Sequence, residues 1–324
     1  MKIKINNEEI EAFEGEKLIE AARRNDIEIP ALCYIKGFQH QSSCMVCVVK
    51  DLTSNQIIPA CSTLVTEGME VDTTSEEVKQ LQTMALELLL SDHRADCEAP
   101  CSMVCPQGLD IERMLCLYDE GKHKDAHALI SATFTLAALE CDNCKAPCEK
   151  ACRRGTVDKA VSIRIIIKEL AEMYEPVFTE MKKEVKKPDK EIFQSRLGRF
   201  TEKEKTFLKK NTATVSRCLH CSCVGHNGCK LRIYATKAGI KRSQYEASSA
   251  LQAMSKKHVK DNIWFEPAKC IKCGLCVYNS NDGFTFKNRG FGMEVVLPDE
   301  SVNNIEESLC EICPTGALYK LSEP

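Results

Sequence analysis

Cysteine is the residue that most restricts this chain: there are 21 among 324 residues, and they come in tight groups. The stretch CDNCKAPCEKAC, residues 141–152, places four in twelve positions with the spacing C-x2-C-x3-C-x3-C. Similar short spacings occur around residues 44–47, 97–105, 218–229 and 270–276. Thiols this close in sequence point at a common centre rather than at distant disulfide partners. In a reducing compartment they imply metal or iron–sulfur ligation.

The rest of the composition narrows the classes. Charged residues make up 28% and the formal net charge is −3, which argues against a nucleic-acid binder with its basic footprint. The first residues, MKIKINNEEIEAFEG, hold no apolar leader core. The longest mostly apolar stretches, around Met84–Leu90 and Ile163–Ile167, are far shorter than a bilayer crossing. A soluble protein of cytoplasmic location is the expectation, with room for two to four domains.

Residues 2–14 alternate on either side of Asn6-Asn7 and read as a hairpin. GEKLIEAARRND follows with helical spacing of Leu18, Ile19 and Ala22, then a cysteine loop. Two strands, a helix and a cysteine loop have the order of a β-grasp ferredoxin. Helices are expected over 76–92, 110–139 and 157–174, although VSIRIIIKEL carries a β-branched run that also suits a strand. Residues 175–216 are rich in Lys and Glu, contain no cysteine, and read as a linker or solvated helical arm. After residue 263 come three cysteines, a hairpin in GFTFKNRGFGMEVVLP, and a final cysteine pair. The expected fold class is α+β. It comprises a β-grasp [2Fe–2S] domain over 1–75 and a helical, cysteine-rich domain over 76–175, to which the resemblance given below assigns two [4Fe–4S] clusters. A charged linker with a four-cysteine module follows over 176–260, and a ferredoxin-like [4Fe–4S] domain over 261–324.

Four thiolates at Cys33, Cys44, Cys47 and Cys61, spaced C-x10-C-x2-C-x13-C, suit a [2Fe–2S] cluster. His40 lies inside that loop as a loop residue. Cys270, Cys273 and Cys276 with Cys313-Pro314 match a ferredoxin [4Fe–4S] pattern, with Cys310 surplus. Cys218, Cys221, Cys223 and Cys229 make a complete set for either a [4Fe–4S] cluster, favoured by the company of other sets, or a four-cysteine zinc site, with His220 and His226 nearby. DHRADCEAPCSMVCP offers Cys97, Cys101 and Cys105, and His93 precedes Cys97 by four residues, so a helix would present both on one side. The competing reading of His93 is an exposed histidine after a helix.

Two resemblances organise these sets. The long first gap of the Cys33 set, the H-x3-C step at His93 and the ending C-P-T-G-A-L resemble the N-terminal part of the large iron–sulfur subunit of respiratory complex I and the [FeFe] hydrogenases. Residues 93–172, through C-P-x-G-x-D-I, A-P-C-E-x-A-C-x-R-G and V-S-I-R, resemble the two-cluster domain of the glutamate synthase small subunit and dihydropyrimidine dehydrogenase. In that family the last cysteine of the late run closes the cluster of the early run. The resemblance therefore implies one [4Fe–4S] cluster on Cys97, Cys101, Cys152 and His93, and another on Cys105, Cys144 and Cys148. Cys141 stands in for the glutamine or glutamate that some relatives supply from the following helix, where this chain has Ile165–Ile167. Nineteen cysteines plus His93 then fill one [2Fe–2S] and four [4Fe–4S] sites, leaving Cys116 and Cys310 as small apolar residues.

No G-x-G-x-x-G follows a strand, and no P-loop or molybdopterin-type or H-cluster extension is evident. The expected role is an electron-relay subunit of an NAD(P)H-linked oxidoreductase complex without its own substrate site. Its partners would be a flavoprotein and a catalytic subunit of hydrogenase, formate dehydrogenase or flavin-based bifurcating type. A redox enzyme with an open iron site and a zinc-organised scaffold are the alternatives.

Overall fold

A computed structural model describes residues 1–93, 95–174, 200, 202–210, 214–223, 228–241, 245 and 257–320. The chain divides into two compact units. The first gathers Met1–His93, His226–Ala250 and Lys256–Pro324; the second holds Arg94–Gly225 and Leu251–Ser255.

The first unit begins with β1 (Lys2–Ile5) and β2 (Glu8–Glu11), antiparallel with Ile3 opposite Ile10. Asn6 and Asn7 both take positive φ, 53° and 69°, the left-handed pair that a two-residue hairpin turn requires and that asparagine tolerates. α1 (Leu18–Arg24) buries Leu18, Ile19, Ala21 and Ala22 in the core that also contains Ile3, Ile5, Val49 and Val71. β3 (Val48–Asp51), β4 (Gln56–Pro59) and β5 (Glu70–Asp72) complete a five-stranded sheet of order β2-β1-β5-β3-β4, in which only β1 and β5 run parallel. α2 (Glu76–Asp92) follows. Asp72 accepts from the backbone N–H groups of Thr74 and Ser75 at 2.8 and 3.1 Å, and the Ser75 hydroxyl caps Val78 at 3.4 Å.

The second unit is helical among its described residues. It contains α3 (Pro100–Met103), α4 (Ile111–Asp119), α5 (His123–Thr133), α6 (Ala137–Asp142), α7 (Pro147–Ala151), α8 (Ile163–Met173) and α9 (Glu202–Lys210). α3 packs on α7, α4 on α5, and α6 on α8. The ambiguous β-branched run folds as helix α8. Ile163, Ile166, Ile167 and Leu170 are buried at helical spacing, whereas Ile165 is 64% exposed, so the 3.6-residue period outweighs the strand propensity of isoleucine. Of the charged stretch 175–216, residues 175–199, 201 and 211–213 lie outside the described residues, as does His226.

The first unit resumes with α10 (Lys230–Lys237), which packs on α2. β6 (Lys257–Lys260) and β7 (Ile263–Phe265) then pair, α11 (Leu275–Tyr278) follows, and β8 (Thr285–Lys287) pairs antiparallel with β9 (Glu294–Val296). α12 (Ser308–Ile312) and β10 (Leu318–Lys320) close the unit, β10 lying against β7 in a three-stranded sheet of order β10-β7-β6. No helix among the described residues is long and apolar enough to cross a membrane.

Candidate metal centres

The turn after α1 and the strand β3 bring the first thiol set together. The Sγ atoms of Cys33 and Cys44 lie 3.4 Å apart. Cys61, at the end of β4, interacts with Cys33 and Cys47, and its sulfur lies 3.3 Å from the Ser42 hydroxyl. All four cysteines are buried. His40 turns its Nε2 toward the Cys61 carbonyl at 3.1 Å, so its ring is engaged with the backbone rather than with the thiols.

A second set forms in the same unit from Cys270, Cys273, Cys276 and Cys313, whose charges oppose one another. Burial, first, and then these neighbours push the thiols of Cys273 and Cys276 well above the ordinary thiol range. Backbone N–H groups point at sulfur: Lys272 at Cys270 (3.3 Å) and Leu318 at Cys313 (3.4 Å). Lys272 has φ of 56° and Gly274 of 80°; a Cβ on Gly274 would stand 2.7 Å from the Tyr278 ring. The tight cysteine turn therefore depends on a residue without a side chain there. Cys310 packs in the core beneath this set, beside Cys313.

The two sets adjoin. Gln39 and Asn279 exchange hydrogen bonds of 2.9 Å each, from Gln39 N–H to Asn279 Oδ1 and from Asn279 Nδ2 to the Gln39 carbonyl. The Ser43 hydroxyl donates to the Cys273 carbonyl at 3.4 Å, and Cys33 adds to the charges opposing ionisation of Cys273. Leu32, Cys33, Cys44, Ile271 and Cys273 pack in one apolar cluster.

In the second unit, Cys105, Cys141, Cys144 and Cys148 form a third group: both Cys141 and Cys148 feel the charge of Cys105 and Cys144. Burial is the chief reason the Cys141 thiol rises to about 11 and that of Cys148 to about 12. Thiols held protonated in this way must release protons when metal binds.

Cys218 and Cys221 have thiol neighbours outside their own run. Cys101 has Cys218 and Cys152 as its charge neighbours, and Cys221 has Cys101 and Cys218. Cys218 and Cys221 thus stand with the cysteines of the interleaved domain. Cys229, grouped with them by spacing, lies in the first unit, where its sulfur accepts from the Arg232 N–H at 3.4 Å at the start of α10. His93 is the buried C-terminal cap of α2. Cys223 is drawn to the Cys97 segment, because Asp96 and Ser222 form a parallel bridge. Among the described residues, no three His, Cys, Asp or Glu side chains converge tightly enough to hold a single metal ion.

Sequence reasoning missed the side chains that position these cysteines. His220 donates through both ring nitrogens, to Glu112 and Asp119 at 3.1 Å each. Burial alone would lower its pKa, but the bonds to Asp119, Cys218 and Glu112 raise it to about 12, so it is an imidazolium at neutral pH. Asp119 also accepts from the Ser216 N–H and hydroxyl at 2.7 and 2.6 Å, which fastens the segment entering Cys218 to the end of α4. The available signal was charge: two acidic residues in α4 and an adjacent pair of arginines directly after Cys152.

Similarity to known proteins defines the class. Residues 1–76 match the family of 2Fe-2S iron-sulfur cluster binding domains, and residues 72–176 match dihydropyrimidine dehydrogenase domain II, 4Fe-4S cluster. The chain therefore carries 2Fe-2S and 4Fe-4S domains, and both resemblances read from its motifs hold. It is similar to an NADH-quinone oxidoreductase subunit of Rhizobium meliloti, 26% identical over 51% of this chain and 21% of that protein. It is likewise similar to the NADP-reducing hydrogenase subunit HndD of Solidesulfovibrio fructosivorans, 32% identical over 47% of this chain and 27% of that one. The chain thus spans about a fifth to a quarter of the length of these curated relatives. A chain in the crystal structure of NAD+-reducing [NiFe]-hydrogenase in the H2-reduced state shares the fold, with a TM-score of 0.52 at 15% identity over 100% of this chain and 90% of that one.

Proposed function

We propose that this chain is the electron-relay subunit of a cytoplasmic NAD(P)H-linked oxidoreductase complex, passing electrons between a flavoprotein and a catalytic partner. The observation that carries this reading is the adjacency of the Cys33/Cys44/Cys47/Cys61 and Cys270/Cys273/Cys276/Cys313 sets through Ser43 and the Gln39–Asn279 pair. The donor chemistry fits: each set is four cysteines in a buried or half-buried setting, with N–H groups aimed at sulfur in the second. Bound there, a [2Fe–2S] and a [4Fe–4S] cluster would each accept and give up one electron at a time. The chain's own contribution is to fix the spacing between the sets, exclude water and tune potentials through hydrogen bonds to sulfur. The Cys105/Cys141/Cys144/Cys148 group supplies a third site. The similarity to subunits of NADH-quinone oxidoreductase, NADP-reducing hydrogenase and NADPH-Fe(3+) oxidoreductase supports an NAD(P)H-linked setting.

Metal analysis of anaerobically purified chain tests the reading. One [2Fe–2S] and four [4Fe–4S] clusters require about 18 irons; replacement of one cluster by zinc would give about 14 irons and about one zinc. A colourless, iron-free chain would end the proposal. Anaerobic co-purification tests the partners, with a flavoprotein as the expected companion.

A further inference from the structure

Resting on the relay reading, we propose that Cys218 and Cys221 complete a [4Fe–4S] site with Cys101 and Cys152, so that a C-x2-C pair from beyond the charged stretch supplies half the ligands of a cluster in the interleaved domain.

Three independent features of the second unit converge on this set. First, two ion-pair nodes, one on the buried Asp96 and one on the solvent-facing Asp158, tie together the segments that carry the four cysteines. Asp96 is 1% exposed. Its N–H donates to the Cys221 carbonyl at 2.7 Å, its carbonyl accepts from the Cys223 N–H at 2.8 Å, and its carboxylate takes Arg153, the residue after Cys152, through Nε and Nη2 at 2.8 and 2.9 Å. Asp158 accepts from Arg154 through two bonds of 2.6 Å and from Arg217, the residue before Cys218, at 2.7 Å. The Cys152 segment and the Cys218–Cys221 segment are therefore joined twice, once on each side. Second, α3 packs on α7, which brings Cys101 toward Cys152 at the α7 C-terminus, and all four cysteines share one apolar cluster.

Third, the Cys218–Cys221 turn repeats the local geometry of the Cys270–Cys273 turn. In each, the residue before the second cysteine has a left-handed backbone, φ of 47° at His220 and 56° at Lys272. In each, that residue's N–H points at the sulfur of the first cysteine at 3.3 Å. Such a turn presents two thiols to one side while directing an N–H at sulfur, which stabilises the charge of a bound thiolate. The same geometry at two C-x2-C steps argues for the same use. Cys223 lies outside the set: the parallel bridge aligns it with Cys97 instead.

The experiment uses the full chain, purified anaerobically and reduced, with Mössbauer and EPR spectra recorded beside the iron count. Cys101→Ala, Cys152→Ala, Cys218→Ala and Cys221→Ala should each remove the same spectral component and about four irons. Cys223→Ala should spare that component. Serine ligation can retain a cluster, so Cys218→Ser covers the case in which alanine variants fail to fold; it should shift the g-values of the component that Cys152→Ser shifts. The proposal is overturned if Cys221 and Cys152 variants affect different components, if Cys221 and Cys223 variants affect the same one, or if zinc leaves with Cys218. An iron-free wild-type chain would overturn the relay reading itself, a result separate from any of these.

Discussion

Arg153 grips the carboxylate of Asp96 with two hydrogen bonds of 2.8 and 2.9 Å, and Asp96 is almost wholly buried. Removing the guanidinium leaves a buried carboxylate without its cation, a change that costs about 3–5 kcal/mol. Arg153→Ala should therefore lower the melting temperature of the iron-loaded chain and release iron faster on exposure to a chelator. Arg153→Lys, which keeps charge but loses the two-pronged geometry, should fall between. Equal iron retention in all three proteins would show that the pair does not hold the cysteine segments.

Ser42 stands at Cys61 as a hydrogen-bonding partner, with 3.3 Å between oxygen and sulfur. When Cys61 is a thiolate ligand, the hydroxyl donates to it and stabilises the more negative, reduced state. Ser42→Ala should lower the potential of the [2Fe–2S] centre without changing its iron content. A net hydrogen bond is worth about 1 kcal/mol, and only part of it distinguishes the two redox states. At about 59 mV per tenfold change for one electron, the shift is on the order of tens of millivolts. A potentiometric titration followed by EPR reads it directly.

Cys310 and Cys313 compete on sequence for one ligand place, and the structure separates their surroundings. The Leu318 N–H points at the Cys313 sulfur at 3.4 Å, and Cys273 and Cys276 feel Cys313; Cys310 packs among Leu309, Ile312 and Leu318. Cys313→Ser should perturb the C-terminal [4Fe–4S] signal. Cys310→Ser should keep the signal and cost roughly 1–3 kcal/mol, because a buried hydroxyl replaces an apolar sulfur. Loss of the signal in Cys310→Ser would reverse the assignment.

Much of this arrangement was legible before the structure, and the reason is local. The Asn6-Asn7 turn, the alternation of Ile3 and Ile5, and the Cys270–Cys276 run are encoded within a few residues, so spacing and periodicity find them. The association of Cys218 and Cys221 with Cys101 and Cys152 is encoded in side chains far apart in sequence, Asp96 with Arg153 and Asp158 with Arg217. Ion pairs of that kind carry no period, and the spacing of Cys218, Cys221, Cys223 and Cys229 alone resembles a self-contained site. The discontinuous first unit, which recruits residues after 226 to the N-terminal sheet's unit, has the same origin in contacts that no short window contains.

Asp158 gives a pH prediction. Its hydrogen bonds to Arg154, with Arg217 adding charge, outweigh partial burial and hold its carboxyl well below the usual carboxylate range. A folded pKa below the unfolded one contributes stability that is fully present above about pH 4 and is lost as pH falls through the folded value. Asp158→Asn removes that contribution and the two salt bridges. At pH 7 the variant should melt below the wild type, and the gap should hold as pH falls toward about 4 and close only under more acid conditions. A gap that narrows between pH 7 and 5 would show that another group carries the linkage. A gap absent at pH 7 would show that the Arg154–Asp158–Arg217 node does not stabilise the fold.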